Sequence, residues 1–108
     1  DKRPLYQLCL GIPWGAGATV ESLLTMKNLV PKTAVWSAFG ISAAEFPIVA
    51  AAAISGGNVR VGLEDNLYMA RGELASGNGP LVARAVTIIE AVGGQVASVE
   101  DARRLLEL

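Results

Sequence analysis

Apolar residues fall into short blocks whose period changes along the chain. Leu5 to Leu10 is a compact apolar run closed by Gly11-Ile12-Pro13-Trp14-Gly15-Ala16-Gly17, and it reads as a strand followed by a loop. From Thr19 to Val30, Val20, Leu23, Leu24 and Leu29 recur near helical spacing and Pro31 closes the segment, which predicts a helix of about three turns. Thr33 to Phe39, with Val35, Trp36 and Phe39, predicts a second strand ending at Gly40. Ser42-Ala43-Ala44-Glu45 matches a capping box and opens an alanine-rich helix to about Ser55. Pro47 falls one turn in and moves the expected start a few residues later. Gly56-Gly57 ends that helix, and Asn58 to Leu63 is a third strand. Tyr68 to Gly79 reads as a polar, glycine-containing loop. Pro80 suits the first position of a helix that carries Leu81, Val82, Ala85, Ile88, Ile89 and Val92 on one face. Gly93-Gly94 stops it, and Ser98 with Asp101 three residues on starts a last helix through Leu106.

The order is β-α-β-α-β-α-α. Such alternation predicts parallel strands joined by right-handed crossovers, with the polar and glycine-rich loops at strand C-terminal ends, where α/β folds place their sites. Three parallel strands make a poor independent domain, because the first and third would expose bare edges. A full (β/α)8 TIM barrel takes about 250 residues. The chain therefore reads as the last three βα units of such a barrel, residues 1–108 forming a single C-terminal fragment.

Composition narrows the function. Apolar residues make up 52% of 108 residues, which suits a chain built to bury much of itself. Nine Lys+Arg against ten Asp+Glu give a net charge of −1 with no groove-like basic cluster, so nucleic acid is not an expected partner. The longest apolar run, Phe46 to Ile54, holds Pro47 and falls far short of the roughly 20 residues a membrane span needs. Asp1-Lys2-Arg3-Pro4 ahead of Leu5 to Leu10 has the order of a signal peptide, but the apolar part is too short and no cleavage site follows; a cytoplasmic protein is expected. The single cysteine, Cys9, excludes an internal disulfide and reads as a buried thiol rather than a nucleophile. With no histidine, a catalytic triad cannot be assembled, and a metal bound by this chain alone has only carboxylate and carbonyl ligands.

The stretch Gly57-Asn58-Val59-Arg60-Val61-Gly62-Leu63-Glu64-Asp65-Asn66 concentrates the remaining chemistry. On a strand, Val59, Val61 and Leu63 point one way and Arg60, Gly62 and Glu64 the other. A charge on a strand covered on both faces needs a partner or a task. At about 3.3 Å per residue Arg60 and Glu64 lie roughly 13 Å apart, so their heads meet only if Arg60 stretches past side-chain-free Gly62. The result is a guanidinium rising beneath a carboxylate pair; an internal ion pair tying loop to strand is the plainer reading of the same residues. The Gly11 to Thr19 loop lies on the same rim, but it lacks a dinucleotide fingerprint and a simple turn is the plainer reading, so no cofactor-binding residue is assigned there. Trp14 and Trp36 read as core or rim packing, and Asn66 as a residue that fixes the turn through the backbone.

Val59-Arg60-Val61-Gly62-Leu63-Glu64-Asp65-Asn66, with Trp36, Asn78, Leu81-Val82 and Ala102-Arg103, resembles the β-keto acid cleavage enzymes, across nearly the whole chain. The resemblance implies a zinc-dependent (β/α)8 barrel that exchanges acyl groups between a β-keto acid and acetyl-CoA, giving acetoacetate and a new acyl-CoA. It implies Glu64 as a zinc ligand and Arg60 and Asp65 as catalytic residues. The family's other zinc ligands, a His-x-His pair, are absent from this sequence, as are its remaining site groups. On this reading the Gly11 to Thr19 loop could border substrate or CoA. Partners are then the two small-molecule substrates and either further copies of the chain or a missing N-terminal barrel half. An alternative of another class is a non-catalytic α/β interaction or oligomerisation module that pairs its exposed edges. A phosphate-binding half-barrel is allowed by the fold but lacks a motif.

Overall fold

The computed structural model describes residues 2–108; Asp1, at the head of the N-terminal charged run, lies outside the described residues. Strand β1 (Leu5–Leu10) leads to helix α1 (Val20–Leu29), strand β2 (Val35–Gly40), a 3-10 turn (Ser42–Ala44), helix α2 (Glu45–Ile54) and strand β3 (Asn58–Val59). A hairpin of β4 (Tyr68–Ala70) and β5 (Glu73–Leu74) follows, then helices α3 (Asn78–Ala91) and α4 (Val99–Leu106). The three strands form one parallel sheet in the order β1-β2-β3, with Leu5 opposite Val35 and Leu10 opposite Gly40. Among the described residues β1 and β3 are both edges and the sheet stays open, as expected for successive βα units.

The strand period places the core. Leu8, Leu10 and Ala38 point to one face of the sheet, where Leu23 of α1 and Ile48, Ala51 and Ala52 of α2 cover them. Two glycines permit the close approach. A Cβ on Gly40 would stand 2.3 Å from the carbonyl oxygen of Ala44, and one on Gly57 would stand 2.3 Å from the Trp36 ring. On the opposite face α4 lies over the sheet: Ala102, Leu105 and Leu106 border a cavity of about 250 Å³ with Leu5, Val35 and Ser37. Its end is tied down where the Arg3 backbone N–H donates to Glu107 Oε2 at 2.9 Å. The Ser98 and Asp101 capping box forms as the sequence predicts.

Several expectations need correction. The third strand stops at Val59 rather than Leu63. Its last ladder bond is Arg60 N–H to the Ala38 carbonyl at 3.1 Å, and the next backbone donors, Gly62 and Leu63, are taken by the side chains of Glu45 and Asn78. Ser42 does not cap α2: it sits at φ +54, no side-chain cap bond forms, and Glu45 turns inward instead. The helix begins at Glu45, which places Pro47 in the first turn, where its missing N–H leaves no bond unmade. The Tyr68 to Gly79 loop contains the β4–β5 hairpin, closed through Gly72 at φ +78. In α3, which begins at Asn78 rather than Pro80, only Leu81 and Ala85 of the six-residue apolar face are buried, because the helix packs mainly on α2. No helix among the described residues is long and apolar enough to cross a membrane.

Candidate active site

Beyond β3 the chain folds into a tight turn, with the N–H groups of Asp65 and Asn66 both donating to the Gly62 carbonyl, at 3.1 and 3.2 Å. This turn, rather than an extended strand, brings the charges together. Arg60 Nε donates to Asp65 Oδ2 at 3.0 Å and Nη2 to Oδ1 at 2.9 Å, a two-pronged pair that fixes both planes. Nη2 also stands 3.1 Å from Glu64 Oε2. The guanidinium beneath two carboxylates is therefore present, but it is the turn that brings them together and not a path past Gly62, where an added Cβ would meet only Asn78 Oδ1, at 3.3 Å. Burial separates the three groups: the Asp65 side chain is 3% exposed, Arg60 32% and Glu64 83%.

Arg60 is held from two further sides. Its Nη1 donates to Gln7 Oε1 at 3.1 Å, and its Cζ lies 4.0 Å from the centre of the Phe39 ring. The hydrogen bonds from Arg60 to Asp65 are the main cause that raises the already high pKa of Arg60, against the opposing effect of burial. Cys9 is half-buried rather than buried; burial first, and the Asp65 charge second, push its thiol above 9.0, while Arg60 pulls the other way. It is a weak nucleophile, as its sequence context suggests.

The turn is braced from both helices beside it. Glu45, fully buried at the start of α2, accepts from Gly62 N–H at 3.1 Å with Oε2 and from Asn66 Nδ2 at 3.2 Å with Oε1. Burial raises its pKa, the Gly62 and Asn66 donors oppose that rise, and the Asp65 charge adds to it. Asn78, opening α3, accepts from Leu63 N–H at 2.8 Å. Asn66 spends its amide on Glu45, on the Tyr68 carbonyl at 2.6 Å and on Tyr68 N–H at 3.0 Å, so it fixes the turn as anticipated. Sequence reasoning missed Glu45 and Gln7. The Ser-x-x-Glu pattern offered a local role for Glu45 that competed with the distant one. Gln7 shows its place only through the sheet register, which aligns it with Ser37 and Asn58, two residues before Arg60.

Other candidates lie apart. The Gly11 to Gly17 loop closes on itself through Gly11 N–H to the Ala16 carbonyl and Gly15 N–H to the Ile12 carbonyl, both 2.9 Å. Trp14 stands 87% exposed on it, while Trp36 packs on Gly57. Among the described residues no three His, Cys, Asp or Glu side chains converge on a point that would hold a metal ion. Glu64 is the accessible carboxylate of the turn, able to give one ligand to a metal whose remaining ligands come from elsewhere.

Comparison with known proteins agrees with the motif. The family model described as beta-keto acid cleavage enzyme matches residues 1–108. Over 104 residues the chain is 47% identical to the 3-dehydrocarnitine:acetyl-CoA trimethylamine transferase of Rhizobium meliloti (strain 1021), covering 96% of this chain and 34% of that protein. Over 108 residues it is 36% identical to the 3-keto-5-aminohexanoate cleavage enzyme of Fusobacterium nucleatum subsp. nucleatum, covering 99% of this chain and 39% of that protein. A third relative, the 3,5-dioxohexanoate:acetyl-CoA acetone transferase of Paraburkholderia graminis, is 33% identical over 112 residues, covering 99% of this chain and 36% of that protein. The chain thus spans between about a third and two-fifths of the length of the curated relatives it matches.

Proposed function

This chain belongs to the beta-keto acid cleavage enzyme family, and on that footing we propose that residues 1–108 are the C-terminal βα units of a cytoplasmic, zinc-dependent (β/α)8 barrel. The whole enzyme exchanges acyl groups between a β-keto acid and acetyl-CoA, the thioester that the names of the Rhizobium and Paraburkholderia relatives carry. The observation that carries the reading is the Arg60–Asp65 pair with exposed Glu64, on the turn where a parallel strand ends. That is the rim on which barrels build their active sites. The open edges of β1 and β3 take the N-terminal part of the barrel, and whole barrels associate as a homo-oligomer.

In this scheme Glu64 would give one ligand to a zinc ion whose remaining ligands come from outside residues 1–108, and the ion, when bound, would supply Lewis-acid polarisation of the keto acid's carbonyl groups. Asp65 takes a proton from the carbon between the two carbonyls. Both of its oxygens are bonded to Arg60 in the described arrangement, so one must turn to the substrate while the other stays held. Arg60 keeps the carboxylate oriented and balances negative charge as it develops. The carbanion then attacks the thioester carbonyl and expels CoA thiolate. Return of that thiolate to the original keto carbon breaks the carbon–carbon bond and gives the new acyl-CoA, and the departing carbanion takes back the proton held by Asp65 to leave as acetoacetate.

The test is acetoacetate formation by the full-length polypeptide from acetyl-CoA and a panel of β-keto acids. Asp65→Asn and Arg60→Ala should each lower kcat by about 10²-fold or more, the usual share of a positioned acid–base group. Wild-type turnover in D65N would remove Asp65 from the chemistry. Absence of exchange with every keto acid would leave the α/β interaction module as the reading.

A further inference from the structure

Resting on that reading, we propose that the groove between the 3-10 turn after β2 and the β4–β5 hairpin seats the arm of acetyl-CoA, with Arg71 contacting its phosphates. The groove holds about 590 Å³; Asn66 brings the turn at 62–66 to its lining, while Arg60, Glu64 and Asp65 stand outside it. Its inner end is formed by Asn66, the neighbour of Asp65, and by Ser42, whose N–H donates to the Asp65 carbonyl at 2.7 Å. Phe46, Met69 and Ala70 give it apolar walls, and Arg71 stands at the outer end, where the hairpin turns.

Three features fit this occupant. An acyl-pantetheine arm is a slender chain with apolar stretches, a thioester at one end and nucleotide phosphates at the other, so it matches a groove that is apolar in the middle and cationic at its outer mouth. Arg71 forms no ion pair with a carboxylate among the described residues, whereas Arg60 and Arg104 do. It is thus available to an anionic ligand. The groove is also preformed: Arg84 donates to the Met69 carbonyl and lies 4.9 Å from the centre of the Phe46 ring, bracing the hairpin against α2. Loops after the last two strands of a barrel are a recurrent place for phosphate groups. The thioester then lies toward Asn66, beside Asp65 and Glu64.

The experiment compares acetyl-CoA with acetyl-pantetheine, which lacks the nucleotide phosphates, as acyl acceptors for the full-length enzyme. Arg71→Ala should raise KM for acetyl-CoA about tenfold, the loss of one charge–phosphate contact, and move KM for acetyl-pantetheine and for the β-keto acid less than twofold. Ala70→Trp, which fills the groove, should raise KM for both thioesters and leave that of the keto acid in place. Equal effects of R71A on both thioesters, or unchanged thioester KM in A70W, overturn the groove while the exchange reaction stands. An inactive wild type overturns the functional reading instead. Calorimetric binding of CoA then tests the groove alone, where wild-type affinity in R71A, or no binding at all, refutes it.

Discussion

Replacing Glu45 tests whether the turn at 62–66 is held from beneath. Its carboxylate is fully buried and is the acceptor for Gly62 N–H and Asn66 Nδ2, at 3.1 and 3.2 Å. A hydrogen bond to a charged group contributes about 1.5–3 kcal/mol, and alanine leaves both donors facing a void. Glu45→Ala should therefore cost about 3–5 kcal/mol, a large part of the roughly 5–15 kcal/mol that holds a domain together. Glutamine keeps the volume but has one acceptor oxygen for two donors, so E45Q should cost about 1–3 kcal/mol. E45Q also carries a pH signature. Because burial raises the folded pKa of Glu45 above the ordinary 4.5, ionising it costs stability, in full above the folded pKa. That cost fades as pH falls through the folded value toward 4.5, so wild type gains stability relative to E45Q across that window. Urea unfolding followed by circular dichroism, at neutral pH and down the acid series, reads both effects. E45A within about 0.5 kcal/mol of wild type at neutral pH, the size of an ordinary surface change, would refute the brace.

The remaining predictions use other features. Gly40→Ala should destabilise by more than about 2 kcal/mol, since its Cβ would meet the Ala44 backbone at 2.3 Å; an unfolding midpoint equal to wild type would contradict the close packing of β2 on the 3-10 turn. Cys9 should react with iodoacetamide more slowly than free cysteine at pH 7, its rate still climbing with pH where that of the free thiol has levelled off; a rate profile equal to the free thiol's counts against its half-buried setting. Residues 1–108 alone should bind zinc weakly, because one exposed carboxylate is not a site; tight stoichiometric binding in a dialysis assay would reject the need for outside ligands. The same chain should self-associate through the bare edges of β1 and β3, and a sharply melting monomer in sedimentation would show the edges to be protected.

The elements that lie contiguous in sequence were the legible ones. Leu5–Leu10 and Val20–Leu29 announce themselves because each makes its own periodic pattern and ends on Gly or Pro. Arg60 lying under the carboxylates was also within reach, since Asp65 is only five residues on, although the turn at 62–66 rather than a path past Gly62 joins them. What could not be read is what depends on distant partners. The alternation Val59, Val61, Leu63 looks like strand throughout, yet pairing ends at the Ala38 carbonyl because the side chains of Glu45 and Asn78 take the next donors. Glu45 and Gln7 act over separations of 17 and 53 residues, and nothing near either in sequence signals the contact. Ser42-x-x-Glu45 shows how a local motif and a tertiary role compete for one side chain, and here the buried donors of the turn won.

The turn at 62–66 hangs from Glu45 on α2 and Asn78 on α3, two helices that meet each other along their length. Where Asp65 and Glu64 stand is consequently a function of how those helices are spaced. A larger side chain at Ala85, buried on α3 about two turns beyond Asn78, would slide one anchor against the other and displace the carboxylates without touching them. On the proposed function, loss of turnover by the full-length enzyme in such a variant would then measure the seam between two helices, and a screen for activity would return packing residues alongside those of the turn.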